Sequence, residues 1–186
     1  MNLDQQQWNS WRNQHFNIPP INNLADPKKV VIHSLLRSKP DYTWDIRDGP
    51  HTADPDMVTE RLSDQATYPA LQSIILTSPL FPWQLPILPR VTPFVSVGDV
   101  LHTVHEMAIT PLSAADIALL PDEEVVQSEL HYQTRCDFLV DPSERRTAKA
   151  KGVLRMDVLH GHHYFAGVAI FPNSSRPGQV WELRLR

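Results

Sequence analysis

The stretch "DVLHGHHYFAGV", residues 157–168, places three imidazoles within four positions: His160, His162 and His163. Imidazole is the commonest metal ligand and the usual acid or base near neutral pH. A structural zinc centre needs about four donors. Successive strand side chains point to opposite faces, so His160 and His162 can share a face while His163 points away. No cysteine, aspartate or glutamate lies inside the turn itself, although Asp157 precedes it. Gly161 suits a turn position of positive φ. The preferred reading is a hairpin tip that exposes its histidines between two strands.

A second set sits in "LHTVHE", where His102, His105 and Glu106 are spaced i, i+3, i+4. On a helix this spacing makes them neighbours. It is not the H-E-x-x-H arrangement, in which the two histidines are four apart with the base between them. A metal site there needs ligands from another segment, and a solvated helix face is the preferred reading. Asp45, Asp48, Asp54 and Asp56 crowd one stretch. A carboxylate pair can do acid–base chemistry, yet acidic loops between strands need no such role. The chain has no G-x-S-x-G elbow, no phosphate-binding P-loop and no G-x-G-x-x-G. No cofactor is expected. Cys136, the only cysteine, falls inside a helix and reads as an inert small hydrophobe.

The elements that would position these groups follow from periodicity. "VSVGDVLHTVHEMAI" is the clearest helix: Ser96 and Asp99 form a capping box, and Val97, Val100, Leu101, Val104 and Ala108 make its apolar stripe. Ser113 and Asp116 mark a second start. Pro121 and the acids Asp122, Glu123 and Glu124 open a third helix that should reach about residue 138. "DYTWDIRDGP", "LQSIILT", "WQLPIL", "VLRMDVL", "YFAGVAIF" and "VWELRLR" read as strands. Pro86 and Pro89 make the third an edge, and the fifth, apolar on both faces, should be central. Trp44, Trp83 and Trp181 fall on inward faces and should pack the core. "VVIHSLLRS" fits a helix or a buried strand. "SERRTAKAKGVLR" reads as a solvated loop. Strands, helices and strands again predict an α+β fold: a mainly antiparallel sheet of about six strands, with two or three helices packed on one face.

The chain has 186 residues, net charge −4 and a pI of about 6.1, with 17 prolines and 6 glycines. The length suits one domain, residues 30–186, with its own core. The charge disfavours nucleic acid as a partner, since such binders carry a basic field. The lone cysteine and the absence of a leader-like N-terminus or a long apolar run suggest an intracellular protein without a membrane span. Residues 1–29 form an Asn/Gln-rich arm in which Trp8, Trp11 and His15 share one face of a possible short helix.

The ordered series "WDIR", "ATYPALQSI", "WQLPIL", "VSVGDVL", "RMDVLHG", "FAGV" and "WELRL" resembles an uncharacterised domain family found widely in basidiomycete fungi. The resemblance covers about residues 33–185 and leaves out the arm. It implies a fungal origin and one compact domain. It carries over no catalytic residue, and its shared motifs read as structural. The expected function is therefore a non-catalytic protein-interaction domain that binds a protein partner or forms a homodimer, with Trp8, Trp11 and Phe16 as anchors. The alternative is a histidine-dependent metal enzyme or small-ligand binder drawing on His102, His105, Glu106, His160, His162 and His163. Convergence of these side chains in one concavity separates the two readings.

Overall fold

The computed structural model describes residues 30–38, 40–53, 59–170 and 179–186. Trp8, Trp11 and Phe16, with the whole arm, lie outside the described residues, as do Asp54 and Asp56. The fold is α+β, but the strands make two sheets instead of one antiparallel sheet of six. Strand β1 (Val31–Ile32) pairs antiparallel with β2 (Thr67–Tyr68). The larger sheet holds β3 (Ile74–Ser78), β4 (Phe81–Ile87), β5 (Phe165–Ile170) and β6 (Val180–Leu185), in the order β4-β3-β6-β5. It is mixed: β3 and β6 run parallel, with Leu76 opposite Trp181, while β3–β4 and β5–β6 are antiparallel.

Pro82 and Pro86 lie in β4, an edge strand, where missing N–H donors are tolerated. The expectation that "YFAGVAIF" is central is overturned. Strand β5 is the other edge, and its apolar faces are explained by what covers it. Arg37 makes a parallel bridge to Val168, and the Arg37 carbonyl packs on Gly167. Gly167 has φ +98°, and a Cβ there would meet the Arg37 carbonyl oxygen at 2.2 Å. Only glycine permits both that backbone conformation and that approach.

Among the described residues four α-helices occur: α1 (Val97–Ile109), α2 (Ala114–Ile117), α3 (Asp122–Asp137) and α4 (Pro142–Lys151). The Ser96 and Ser113 capping boxes both form, with each serine hydroxyl accepting from the aspartate amide at 3.1 Å. Helix α1 buries Val97, Val100, Leu101, Val104 and Ala108 as its periodicity requires. Helix α4 replaces the expected loop. Asp141 caps it by accepting from the Ser143 amide at 2.7 Å, Pro142 starts it, and Gly152 at φ +70° ends it.

Two predicted strands are not strands. In "VLRMDVL" the Asp157 carboxylate accepts from the Leu154 amide at 2.8 Å and winds Arg155–Leu159 into a 3-10 turn. In "DYTWDIRDGP" the Asp45 side chain accepts from the Arg47 amide at 3.0 Å and its carbonyl from the Asp48 amide at 3.1 Å, which turns the chain after one bridge to Tyr164. Tyr42, Trp44 and Ile46 are buried all the same. "VVIHSLLRS" divides into β1 and a 3-10 turn, Ser34–Leu36. The core gathers Trp44, Trp181, Phe165, Leu36, Ile74 and Leu101. The rings of Trp44 and Phe165 lie 5.6 Å apart.

Gly167→Ala should lower unfolding free energy by about 3 kcal/mol, from a disfavoured φ plus a backbone clash. Gly161→Ala, at φ +88° but in open space, should lose about 1 kcal/mol. Guanidinium denaturation of the two variants checks the order, and equal losses would discount the Arg37 contact.

Candidate functional site

The structure distributes the sequence-singled side chains over separate neighbourhoods. His105 Nδ1 lies 2.9 Å from the Ile46 carbonyl oxygen. A carbonyl only accepts, so Nδ1 carries a proton. Glu106 accepts from Arg90 at 2.7 and 2.5 Å. His102 is half-buried on the same helix, close to that pair. His160 is not on a hairpin tip. It follows the 3-10 turn in a left-handed conformation, φ +49°, and its Nε2 donates to Glu124 at 2.5 Å. His163 Nε2 stands 3.7 Å from Asp45, whose carboxylate is held in a two-toothed pair by Arg47. His162 lines a different concavity, of about 410 Å³, with Ser78 and Glu182. Among the described residues no group of three or more His, Cys, Asp or Glu side chains could hold a metal ion.

One juxtaposition escaped sequence reading. His131 on α3 packs edge-on against His160, with centroids 5.1 Å apart. Its i, i+7 spacing from Glu124 was the available sign, because two helical turns return a side chain to nearly the same face.

A second missed cluster borders the small sheet. His33 caps the Ser34–Leu36 turn, its Nδ1 accepting from the Leu35 amide at 3.3 Å. Its Nε2 lies 2.7 Å from an Arg61 terminal nitrogen and 3.4 Å from Asp64. Arg61 Nε donates to Asp64 at 2.9 Å. These groups and Arg37 line a groove of about 500 Å³. Arg61 and Asp64 are readable as an i, i+3 pair, but nothing local in the sequence brings His33 to them across some thirty residues.

Two internal ion pairs hold the helical region. Arg135 grips the buried Asp157 at 2.9 and 2.8 Å, and Arg155 grips the buried Asp116 while lying over the Trp83 ring at 5.0 Å. Asp157 also caps Leu154, and Asp116 caps Ser113. Carboxylates that satisfy both a backbone amide and an arginine are buried without being left unpaired. Each of these two carboxylates is occupied by an arginine and a backbone amide.

An α+β fold with a mixed four-stranded sheet, its helices in the crossover between parallel neighbours, is the class these elements define. The chain belongs to a family of unknown function, DUF6699, whose model matches residues 42–179, well over half of its length. The match begins after His33 and Arg37 and excludes the arm. No curated protein and no solved structure matches the chain significantly. No helix among the described residues is long and apolar enough to cross a membrane.

The electrostatics give a pH signature. Burial, with nearby Arg61, Arg90 and Arg47 respectively, pushes His33, His102 and His163 below their ordinary value of 6.5. The unfolded chain therefore binds more protons than the native one just below pH 6.5, so stability falls as pH drops through that region. For Asp45 and Asp116 burial pushes upward, but hydrogen bonds from Arg47 and Arg155 outweigh it and hold both below 3.8. Their contribution, present above that value, disappears only at lower pH. Denaturation midpoints should thus fall in two stages, the first as pH drops below about 6.5 and the second below about pH 4. His163→Gln should shrink chiefly the first stage, with a smaller change in the second through the loss of its charge beside Asp45. A flat profile from pH 8 to 5 would contradict the burial of these imidazoles.

Proposed function

We propose that the chain is a non-catalytic protein-interaction domain that self-associates, and that its second copy docks on the outer face of α3 and α4. The observation that carries this reading is the state of α3. Of its 16 residues only Ser128 and Cys136 are buried, while Val126 and Leu130 stand 66% and 55% exposed. Phe138 and Val140, just beyond its end, are 81% and 91% exposed. Single exposed apolar residues are ordinary; four on one helix and its exit ask for a cover.

Charge favours a second copy as that cover. Helix α3 opens with Asp122, Glu123 and Glu124, and α4 carries Arg146, Lys149 and Lys151. Asp122, Glu123 and the three α4 cations make no ion pair among the described residues. In a two-fold arrangement the acidic turn of one copy can meet the basic helix of the other, twice over. Trp8, Trp11 and Phe16 in the arm are proposed as further anchors. The scattered placement of the histidines lends this reading support over a catalytic one. The buried lone Cys136 suits a reducing cell interior, and the ordered motifs that resemble basidiomycete proteins suggest a fungal one.

Sedimentation equilibrium of the full-length protein tests the proposal. A dimer should form at micromolar concentration, and Leu130→Glu or Phe138→Glu should weaken it by about tenfold or more without changing the circular dichroism. Replacing Trp8, Trp11 and Phe16 together by alanine should weaken it further. A wild-type chain that stays monomeric at about 100 μM, a concentration at which even a weak contact would be populated, would sink the idea.

A further inference from the structure

We propose that the groove beside β1 and β2 binds a small ligand that presents a phosphate or carboxylate group on an apolar or aromatic body. The site shares no residue with the α3–α4 face and does not depend on the self-association reading.

The groove, about 500 Å³, falls within the size range of small-molecule sites. Arg37 and Arg61 both line it. Arg37 Nε donates to the Ile32 carbonyl at 2.9 Å, which orients the guanidinium, and its terminal nitrogens have no protein acceptor among the described residues. Arg61 is oriented by Asp64. A guanidinium whose direction is already fixed loses little freedom when it takes a planar oxyanion through two parallel N–H groups. Two arginines against one aspartate leave the groove one positive charge in excess, on a chain of net charge −4.

The polar node that lines the groove is frustrated without a ligand. A neutral imidazole carries one ring proton. If His33 is protonated on Nε2, that proton suits Asp64 but opposes the Arg61 N–H groups 2.7 Å away. If it is protonated on Nδ1, the ring gives up its contact from the Leu35 amide. An oxyanion between Arg61 and Arg37 offsets the conflict, because new charge-assisted bonds replace the Leu35 contact that a fully protonated ring gives up. It accepts from both guanidiniums and from a doubly protonated His33 ring turned toward it, and Asp64 no longer has to serve Arg61 and His33 at once.

The apolar part of the ligand has its own wall. Val31 and Tyr68 are cross-strand partners in the small sheet, and both line the groove. They are 48% and 75% exposed. An exposed tyrosine ring beside a cationic cleft offers a face for a flat or hydrocarbon group.

The experiment is a titration of the full-length, ¹⁵N-labelled protein with phenyl phosphate, benzoate and inorganic phosphate in turn. Backbone amides and the His33 ring proton are followed by nuclear magnetic resonance. Saturable shifts should centre on Leu35, Asp64 and Thr67. The tighter of the two aromatic probes identifies the head group, and inorganic phosphate should bind about tenfold more weakly than that probe. The His33 titration midpoint, set in the free protein by burial, Arg61, Asp64 and Arg37, should rise when the probe is bound. Arg37→Gln and Arg61→Gln should each weaken binding by about tenfold. Asp64→Asn should strengthen it several-fold, a sign that general loosening of the fold does not produce. Should Arg61→Gln lose native amide dispersion, Arg37→Gln and Asp64→Asn carry the test. Shifts that never saturate, that centre elsewhere, or that are unchanged in a folded Arg37→Gln variant overturn the proposal.

Discussion

The backbone seam between "WDIR" and "HHYF" is the constraint on which the rest of the molecule depends. The Phe165 amide donates to the Trp44 carbonyl and the Ile46 amide to the His163 carbonyl, both at 2.9 Å. On its other side Tyr164 exchanges two bonds of 2.9 Å with Arg186, the last residue of the chain. A three-residue segment is thus clamped between the first third of the chain and its end. His105 reaches from α1 to the Ile46 carbonyl and ties the helix to the same seam. Burial follows from these bonds. Trp44 and Phe165 are carried to the centre of the core as neighbours, and the seam's amides and carbonyls pair with one another inside the protein, as buried backbone must. The histidine cluster that invites a catalytic reading is the edge of this clamp.

The clamp also explains the mixed sheet. Strand β6 enters between β3 and β5, parallel to one and antiparallel to the other. A parallel pair cannot be joined by a tight turn and needs a long crossover. Between Ser78 and Val180 that crossover carries β4, all four described α-helices, the 3-10 turn and β5. His102, His105, His131, His160, His162 and His163 therefore sit on a connection, anchored at its start by the β3–β4 hairpin and at its end by β6. The charged pairs Arg135–Asp157 and Arg155–Asp116 then fix α3 and α2 to the 3-10 turn within it.

Much of this was legible because local rules and global packing agree. The Ser96 and Ser113 boxes, the prolines of β4 and the inward Trp44, Trp83 and Trp181 are each decided by a few neighbouring residues. Alternation in "DYTWDIR" told which side chains are buried, yet it named the wrong backbone, because one aspartate side chain can turn a chain whose burial still alternates. Asp157 likewise turns its chain, and there the alternation misnames the burial too, since Asp157, Val158 and Leu159 are buried in succession. Helix α4 was misread because its charged surface hid a readable frame: Asp141 as cap, Pro142 at the first turn, Gly152 after the last. Parallel pairing of β3 with β6 and the meeting of His33 with Arg61 were not legible at all. Both join segments distant in sequence, and no local spacing encodes them. The same is true of the dispersal of His102, His105, His160, His162 and His163, whose partners sit on other elements.

Helix α3 shows why an element can be held firmly and still present an open face. A helix of 16 residues ordinarily secures itself by burying an apolar stripe. Here the buried residues are a serine and a cysteine, eight positions apart. Attachment comes instead from Arg135 to Asp157 and Gly152, from His160 to Glu124, and from Tyr132 to the Lys149 carbonyl. Removing one partner of a buried charged pair strands the other in low dielectric, so such contacts fix orientation sharply even when their net contribution to stability is small. With its position set by polar bonds, α3 does not need Val126 and Leu130 to fold. Natural surfaces generally avoid apolar side chains that neither pack nor bind. Their presence on the outer side of a helix anchored by other means is the strongest physical reason to look for what covers them.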